Sequence, residues 1–411
     1  MPAMTIFSGT CCNAEALCGG LAENTGYKWL KDQHIIKRAS ELSGLSERKI
    51  SRAMSDKDSV FNEFTHEKER SVAFLRLALS HFLTKKDIIF DGFAGLLIPH
   101  TIHHILRLCL IAGMAQRIRT FGQNRGIGED EALSALHAED QTRRAWVQSL
   151  HHHIKDPWDP SLYDIVVPTD KMAPDEIVAL VDNNLKSEVI QPTQASLKAV
   201  EDFILAAQVQ VALAEQGHAV DVTARDGMVT LTLRNNVLML GRLEEELKKV
   251  VNQTPGVKSV ETRIAKGLHQ TTPYRRYNFQ VPSKVLLVDD EREFVRTLSE
   301  RLLMRDMGSA IAYDGESALS IVADDEPDVM VLDLKMPGID GTEVLRKVKA
   351  RHPDIEVIIL TGHGSKADED QCLALGAFAY MQKPVDIDLL SETLKKANEK
   401  MHHKKQQLST G

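Results

Sequence analysis

The stretch Val329-Met330-Val331-Leu332-Asp333 decides the fold of the C-terminal third of the chain. A short apolar run that ends in a carboxylate predicts a strand buried on both faces, as in a parallel α/β sheet. Similar apolar runs occupy residues 284–288, 357–360 and 379–382, and the segments between them are long enough for helices. The C-terminal region is therefore predicted to be a doubly wound α/β domain.

A functional side chain follows each of these runs. In chain order they are Asp289 with Asp290, then Asp333, Thr361 and Lys383. The carboxyl ends of the strands in an open α/β sheet meet at one edge, where ligands bind. Three carboxylates in one place need a cation, because like charges disfavour each other's ionised forms. The pattern predicts a metal-assisted phosphoryl-acceptor site, in which Mg²⁺ suits the oxygen ligands and a carboxylate can accept the phosphoryl group.

Four segments of residues 284–400 resemble a response-regulator receiver domain: VLLVDD (285–290), VLDLKMPGIDG (331–341), ILTGHG (359–364) and YMQKP (380–384). The resemblance implies a flavodoxin-like fold with a five-stranded parallel sheet. It also implies dependence on Mg²⁺ and a sensor histidine kinase as the phosphoryl donor.

The resemblance assigns a role to each matched residue of the site. Asp333 would be the phosphoacceptor, Lys383 the phosphoryl-binding cation, and Thr361 with Tyr380 the switch pair. The metal would be held by Asp289, Asp290, Asp333 and the backbone carbonyl of Lys335. Two alternatives stay open: solvated side chains at strand ends, and an intact receiver that is never phosphorylated.

Composition limits the class of protein. With 411 residues the chain is long enough for two to four domains. Its 43% hydrophobic and 26% charged residues are typical of globular proteins. A net charge of −8 disfavours a general nucleic-acid binder, so no direct DNA binding is expected. The sequence contains neither a membrane-spanning apolar run nor a signal-peptide pattern, and its five cysteines suit a reducing compartment, so a cytoplasmic location is expected.

The middle of the chain predicts a small α+β module over residues 200–265. Alternating apolar residues flank Asp226-Gly227, which is a strong hairpin signal. The segments DGMVTLTL (226–233) and TPGVKSVETRI (254–264) resemble a BON domain, although Arg234-Asn235-Asn236 departs from that family's pattern. The resemblance and the context favour an interaction or dimerisation module, with an unrelated packing domain as the alternative. Residues 266–283 are predicted to be an exposed linker.

The front of the chain, residues 1–190, resembles the cytidylate-kinase-like branch of the P-loop nucleotide kinases. The matching segments are LAENTGYKWLKDQHII (21–36), ASELSGLSE (39–47), ILRLCLIAGMAQRIRT (105–120), EDQTRRAW (139–146) and DPWDPSLYDIVVPTD (156–170). A strand, a turn and a helix at the start of the chain fit that fold. The resemblance implies a P-loop nucleotide-kinase-like α/β domain.

Two phosphate-binding loops of that family are altered in this chain. The family's glycine-rich positions fall on Cys11, Cys12, Asn13 and Ala14. A phosphate cradle needs glycines, because its backbone N–H groups must approach the phosphates in conformations that side chains disfavour. No arginine stands between Asp91 and Pro99, where relatives carry one.

Four arginines remain as candidate ligands for the phosphates of ATP or CMP: Arg117, Arg119, Arg143 and Arg144. Because the loops that would cradle the phosphates are altered, we expect a kinase-derived domain without catalytic activity.

The sequence therefore predicts a response regulator with four parts: residues 1–190 (kinase-like), 200–265 (BON-like), 266–283 (linker) and 284–403 (receiver). A sensor histidine kinase would phosphorylate Asp333 and so switch an atypical output region. The alternative is a receiver-gated nucleoside monophosphate kinase of the cytidylate type that uses ATP. A scaffold that joins sensor kinases to a partner, and a homodimer, are also left open.

Overall fold

The computed structural model describes residues 2–55, 59–85, 87–233, 240–264, 284–362 and 364–409. The chain divides into two compact units: Met1–Asp58 with Glu67–Tyr274, and Ser59–His66 with Arg275–Gly411. The predicted linker 266–283 lies outside the described residues. Within the described ranges, no helix combines the length and apolar character needed to cross a bilayer.

The first unit contains a five-stranded parallel sheet with the order β2-β3-β1-β4-β5. Its strands are β1 (Ala3–Ser8), β2 (Lys28–Lys31), β3 (Ile88–Asp91), β4 (Ile105–Ile111) and β5 (Ile165–Pro168). Strand β1 is the strand that was predicted at the start of the chain. Two lysines of β2 flank only two apolar residues, so this short edge strand lacks an apolar run like those of β3 and β4.

Helices cover both faces of this sheet. In chain order the helices up to the middle of the chain are α1 (Ala14–Thr25), α2 (Asp32–Ser43), α3 (Glu47–Arg52), α4 (Asn62–Thr65, in the second unit), α5 (Glu67–Leu83), α6 (Met114–Arg125), α7 (Glu129–Leu150) and α8 (Pro174–Leu185). Alternate residues of β1 face opposite cores, because successive side chains of a strand point to opposite sides. Met4 and Ile6 pack with residues of α1 and α8, whereas Ala3 packs with residues of α2 and α5.

The α+β module follows in the same unit. It consists of α9 (Gln194–Glu215), β6 (Asp221–Arg225), β7 (Met228–Leu233), α10 (Leu240–Val251) and β8 (Ser259–Ile264). Strands β6 and β7 are antiparallel, and β8 pairs with β7 in parallel. Asp226 (φ 57°) and Gly227 (φ 84°) form the predicted tight turn, which requires positive φ at both positions. The antiparallel pairing of β6 and β7 confirms the predicted hairpin, and the assignment to the BON family stays a prediction.

Helix α9 takes part in two hydrophobic cores. Phe203 and Val211 pack into the core that α2 and α5 form against the first sheet. Leu205, Val209 and Leu213 pack against the three-stranded sheet of the α+β module. One helix therefore supplies apolar faces to both parts of the first unit.

The second unit contains a five-stranded parallel sheet with the order β10-β9-β11-β12-β13. Its strands are β9 (Val285–Val288), β10 (Ser309–Ala312), β11 (Val329–Leu332), β12 (Glu356–Thr361) and β13 (Ala379–Gln382). Its helices after α10 are α11 (Arg292–Leu303), α12 (Gly315–Asp324), α13 (Gly341–Arg351), α14 (Lys366–Ala374) and α15 (Ile387–Ser409). This arrangement confirms the predicted doubly wound domain.

The order of the strands determines at which edge of this sheet a ligand can bind. The chain runs outward from β9 to β10 and then returns to β11 on the other side of β9. Such a reversal opens a crevice at the carboxyl ends of the two central strands. Asp289 follows β9 and Asp333 follows β11, so both residues lie at that crevice.

Candidate functional site: the acidic edge of the second unit and the altered phosphate loops of the first

Three carboxylates meet at the carboxyl edge of the second unit. Single oxygens of Asp289, Asp290 and Asp333 all lie within 4.8 Å of one another. Asp289 and Asp333 are buried, whereas Asp290 is exposed. Burial raises the pKa of Asp289, against the opposing effect of the hydrogen bonds it accepts from Lys383 and from the backbone N–H of Glu291. A set of three hard oxygen donors open to solvent on one side suits a divalent cation such as Mg²⁺.

Lys383 joins this acidic cluster from the end of β13. Its Nζ lies 2.7 Å from Oδ2 of Asp289, 3.2 Å from Oδ2 of Asp333 and 2.8 Å from Oε1 of Glu291. The ammonium also lies 4.6 Å from the centre of the Phe294 ring. Burial lowers the pKa of Lys383, but the carboxylates, led by Asp289 and Glu291, raise it by more, so the side chain is held as a cation.

The turn after β11 fixes the orientation of Asp333. Oδ1 of Asp333 accepts hydrogen bonds from the N–H groups of Leu334 (2.7 Å) and Lys335 (3.4 Å). A side chain at Gly341 would approach the carbonyl oxygen of Asp333 to 2.2 Å, so only glycine fits where the chain returns past the acceptor. The result is a carboxylate with one oxygen held by the backbone and the other directed at Lys383.

Thr361 and Tyr380 come together beside Gly364. A Cβ atom built on Gly364 would lie 1.6 Å from Oη of Tyr380 and 3.2 Å from Cγ2 of Thr361. The Tyr380 hydroxyl is buried and has no hydrogen-bond partner among the described residues. Burial raises the pKa of Tyr380. The peptide bond between Lys383 and Pro384 is cis.

In the first unit, the turn after β1 keeps a backbone shape that favours glycine. Cys11 (φ 63°) and Asn13 (φ 52°) both adopt left-handed conformations at positions where the sequence comparison expected glycines. The side chain of Cys12 is buried in the turn, and its Sγ would lie 2.9 Å from a Cβ on Gly9. Side chains therefore fill space that a phosphate cradle would leave open.

Two of the four candidate arginines make hydrogen bonds within the protein. The guanidinium of Arg117 binds Asp140 in a bidentate pair (2.8 and 2.7 Å) and donates to the carbonyl of Thr10. Arg143 donates to the carbonyls of Ser8 (2.8 Å) and Glu139 (3.0 Å). Acidic side chains and carbonyls of the domain thus occupy the groups that were predicted to bind phosphates.

The other two candidates, Arg119 and Arg144, are exposed on α6 and α7. The structure does not bring them into the turn after β1 with Arg117 and Arg143.

The second altered loop also holds an internal carboxylate. Asp32, at the start of α2, accepts hydrogen bonds from the N–H groups of Phe93 (2.7 Å) and Ala94 (2.9 Å). A Cβ on Gly92 (φ 130°) would lie 2.2 Å from the same carboxylate. Burial raises the pKa of Asp32 to about 6, despite the two backbone hydrogen bonds that lower it. The backbone N–H groups of this loop therefore bind the carboxylate of Asp32.

Two different protein families match two separate regions of the chain. The response regulator receiver domain model matches residues 285–395, and the cytidylate kinase-like family model matches residues 3–171. Sporulation initiation phosphotransferase F of Bacillus subtilis is 36% identical over 113 residues, which are 28% of this chain and 91% of that protein. The chain belongs to the response regulator receiver family.

Larger response regulators match only through the receiver domain. Response regulator MprA of Mycolicibacterium vanbaalenii is 34% identical over 110 residues, which are 27% of this chain and 48% of that protein. Transcriptional regulatory protein CpxR of Klebsiella pneumoniae is 37% identical over 128 residues, which are 31% of this chain and 54% of that protein. The chain thus spans about half the length of these two relatives.

The receiver domain contains one ion pair at its site that sequence reasoning missed. Glu291 contributes an oxygen 2.8 Å from the Lys383 ammonium, although its side chain is largely exposed. The available signal was its position directly after Asp289-Asp290. Glu291 competes for Lys383 with the two buried carboxylates.

Gly364→Ala is expected to expel Tyr380 from its buried position in the receiver domain. The added methyl group would overlap Oη of Tyr380, so the ring must move toward solvent and the pKa of its hydroxyl should fall toward the ordinary value. Carbon-13-labelled tyrosine NMR of the full chain measures that pKa. Gly362→Ala is the matched control, because its Cβ would meet nothing closer than Cδ of Lys383 at 3.9 Å. An unchanged Tyr380 signal in Gly364→Ala would contradict the packing described.

Asp32→Asn is expected to reduce the pH dependence of stability of the first unit. A carboxyl group with a raised folded-state pKa stabilises the fold fully below its unfolded pKa of about 4 and loses that contribution as pH rises through about 6. The wild-type melting temperature should therefore fall between about pH 4 and pH 6, and less steeply in the variant. Tryptophan fluorescence reports this unit, because Trp29, Trp146 and Trp158 all belong to it. Equal slopes would show that Asp32 is not the titrating group.

Proposed function

We propose that the chain is a response regulator that accepts a phosphoryl group on Asp333 from a sensor histidine kinase. The observation that carries this proposal is the meeting of Asp289, Asp290, Asp333 and Lys383 at one edge of the sheet. The similarity to response regulators supports the donor class. The kinase-derived first unit is proposed as the output region.

The side chains present suit a Mg²⁺ ion at this edge. Asp289, Asp290, Asp333 and the backbone carbonyl of Lys335 would hold it. A bound Mg²⁺ would offset the negative charge of the carboxylates and of the entering phosphoryl group. Lys383 supplies a second, fixed positive charge, and its contacts with Asp289 and Asp333 keep that charge next to the acceptor oxygen.

Asp333 is arranged for transfer of a phosphoryl group. Backbone N–H groups hold Oδ1, which leaves Oδ2 to form the new bond to phosphorus. As that bond forms, the bond from phosphorus to the donor's histidine nitrogen breaks and the neutral imidazole leaves with a proton from solvent. The Lys383 ammonium, 3.2 Å from Oδ2, stabilises the charge on the phosphoryl oxygens.

Thr361 and Tyr380 are the proposed switch. The Thr361 hydroxyl would bond a phosphoryl oxygen, and the space it leaves beside Gly364 would favour the buried position of Tyr380. Tyr380 lies on β13, and the proposed switch surface consists of α14, β13 and α15. Phosphorylation would shift the balance between two arrangements that both exist without it.

Labelling with a small phosphodonor tests the proposal. The full chain is incubated with acetyl phosphate, with and without Mg²⁺, and digested for peptide mapping. The label is expected on the peptide that contains Asp333 and only when Mg²⁺ is present. Stable labelling of another peptide, or labelling that does not need a divalent cation, would exclude the proposed site.

We further propose that the first unit does not turn over nucleotides. The groups that would bind phosphates already have hydrogen-bond acceptors within the protein. Arg117 pairs with Asp140, and Arg143 donates to the carbonyl of Glu139. The N–H of Ala94 in the second altered loop donates to Asp32. We expect no ADP formation from ATP and CMP in a coupled assay, and no shift of the tryptophan-detected melting temperature with either nucleotide. A ligand at 100 times its Kd would stabilise the fold by about 2.7 kcal/mol, which such a melting curve would detect. CMP-dependent turnover that Arg143→Ala abolishes would instead support the cytidylate-type kinase.

A further inference from the structure

Residues 59–66, with the sequence SVFNEFTH, belong to the second unit although the chain on both sides of them belongs to the first. This docking segment consists of Ser59, Val60, Phe61, the short helix α4 and His66. It is separated from the rest of the receiver domain by more than 200 residues of sequence. Its contacts show where on the receiver domain it binds.

Phe61 is the apolar anchor of the docking segment. It is 0% exposed and packs in the receiver core cluster that includes Leu286, Val322 and Met330. The Nζ atom of Lys284 lies 5.7 Å from the centre of the Phe61 ring. The neighbouring Val60 is 51% exposed, so burial is specific to one of two adjacent apolar residues.

Polar and close-packed contacts fix the position of the segment. The hydroxyl of Ser59 donates a hydrogen bond to the carboxylate of Asp325, which also pairs with Lys284 (2.9 Å). Phe64 lies against Gly308, where a Cβ atom would come within 2.3 Å of the phenylalanine side chain. Phe64 can therefore pack at this position only because Gly308 has no side chain.

These contacts lie at the edge of the sheet away from Asp333. Lys284 precedes β9, Gly308 precedes β10, and Asp325 lies between α12 and β11. Each of these strands has four residues, so about 13 Å of strand separates this edge from the acidic edge. The proposed switch surface of α14, β13 and α15 involves none of the three contact residues.

We propose that residues 59–66 are a built-in docking segment that anchors the receiver domain by its amino-terminal edge and stays bound when Asp333 is phosphorylated. The last part of this statement rests on the proposed function. The anchor is a second connection between the receiver domain and the chain before it, besides the continuous chain through residues 265–283. Receiver switching then takes place in a domain that is held at its opposite edge.

Hydrogen-exchange mass spectrometry of the full chain tests the anchor. In the wild type, amides of residues 59–66 should exchange more slowly than in a free peptide of the same sequence. Phe61→Ala should speed their exchange roughly 100-fold, as expected for loss of a buried phenylalanine, and should also expose the start of β10. Val60→Ala is the matched control and should leave exchange unchanged. Gly308→Val should likewise speed the exchange of residues 59–66, because its side chain would displace Phe64.

Two results would overturn the anchor: free-peptide exchange of residues 59–66 in the wild type, or identical exchange in Phe61→Ala and Val60→Ala. Phe64→Ala replaces Phe61→Ala if that variant does not fold. A second comparison, with and without beryllofluoride and Mg²⁺, separates this inference from the proposed function. Exchange should change in α14 but stay within twofold in residues 59–66. No change anywhere would reject the phosphorylation proposal alone, whereas release of residues 59–66 would reject the constant anchor.

Discussion

Asp333→Asn should abolish labelling of the full chain by acetyl phosphate in the presence of Mg²⁺. The amide of asparagine is a poor nucleophile. Asp289, whose Oδ1 likewise accepts a hydrogen bond from the backbone N–H of Glu291, is proposed as a metal ligand and not as the acceptor. Asp333 has one oxygen held by the N–H of Leu334 at 2.7 Å and the other 3.2 Å from the Lys383 ammonium. Phosphate-affinity electrophoresis or intact-mass measurement gives the labelled fraction, which should fall below about 1% of the wild-type value.

Asp340→Asn is the matched control for this substitution. Asp340 is an exposed carboxylate on the same turn, and its Oδ1 caps α13 by accepting from the N–H of Thr342 (3.0 Å). Asparagine is an equally good helix cap, so fold and labelling should both be kept. Full labelling of Asp333→Asn would remove the acceptor assignment and with it the proposed phosphorelay function.

Asp325→Leu should destabilise the second unit by about 3–5 kcal/mol, the usual cost of removing one partner of a buried ion pair. The side chains of Lys284 and Asp325 are 2% and 7% exposed and their charged atoms lie 2.9 Å apart. The substitution leaves a buried ammonium without this carboxylate. Hydrogen exchange of β9 and β11 peptides across a urea series measures the free energy of unfolding of this unit separately from the first.

An exposed ion pair provides the control. Arg305 and Asp388 lie 2.5 Å apart, but the Asp388 side chain is 80% exposed, so Asp388→Asn should cost no more than about 1 kcal/mol. The combined change Lys284→Met with Asp325→Leu should recover most of the lost stability, because it removes the buried ammonium together with the carboxylate. A cost for Asp325→Leu as small as that for Asp388→Asn would show that the pair is not isolated from water.

The acidic edge was predictable from sequence because of the way parallel sheets are built. Each strand of the second unit is a short apolar run, and the residue that follows it must lie at the shared carboxyl edge. That rule alone brings Asp289, Asp333, Thr361 and Lys383 together. It gives no distances, so the Glu291–Lys383 ion pair could not be derived.

Contacts between distant parts of the chain could not be predicted in this way. Lys284 was placed at the start of a strand, with no indication that its ammonium is buried against Asp325. Phe61 and Phe64 stand in a segment without clear periodicity, and their partners lie more than 200 residues further on. Such contacts depend on tertiary packing, which cannot be predicted from a local sequence pattern.

The altered phosphate loops were recognised from missing glycines, but the sequence did not show what replaces the phosphates. Arg117 and Arg143 were predicted to be phosphate ligands, and the structure pairs them with Asp140 and with backbone carbonyls. Asp32 is about 60 residues from the loop it binds. Internal anions of this kind become visible only when the sheet has brought the loops together.

The double use of α9 has a consequence for how this gene can change. A crossover near residues 190–200 would move α9 with the α+β module and remove Phe203 and Val211 from the interior that the preceding half needs. A crossover after α9 would instead strip Leu205 and Val209 from the module. Neither half can be exchanged in evolution, or transplanted in the laboratory, unless the incoming neighbour brings a matching helix.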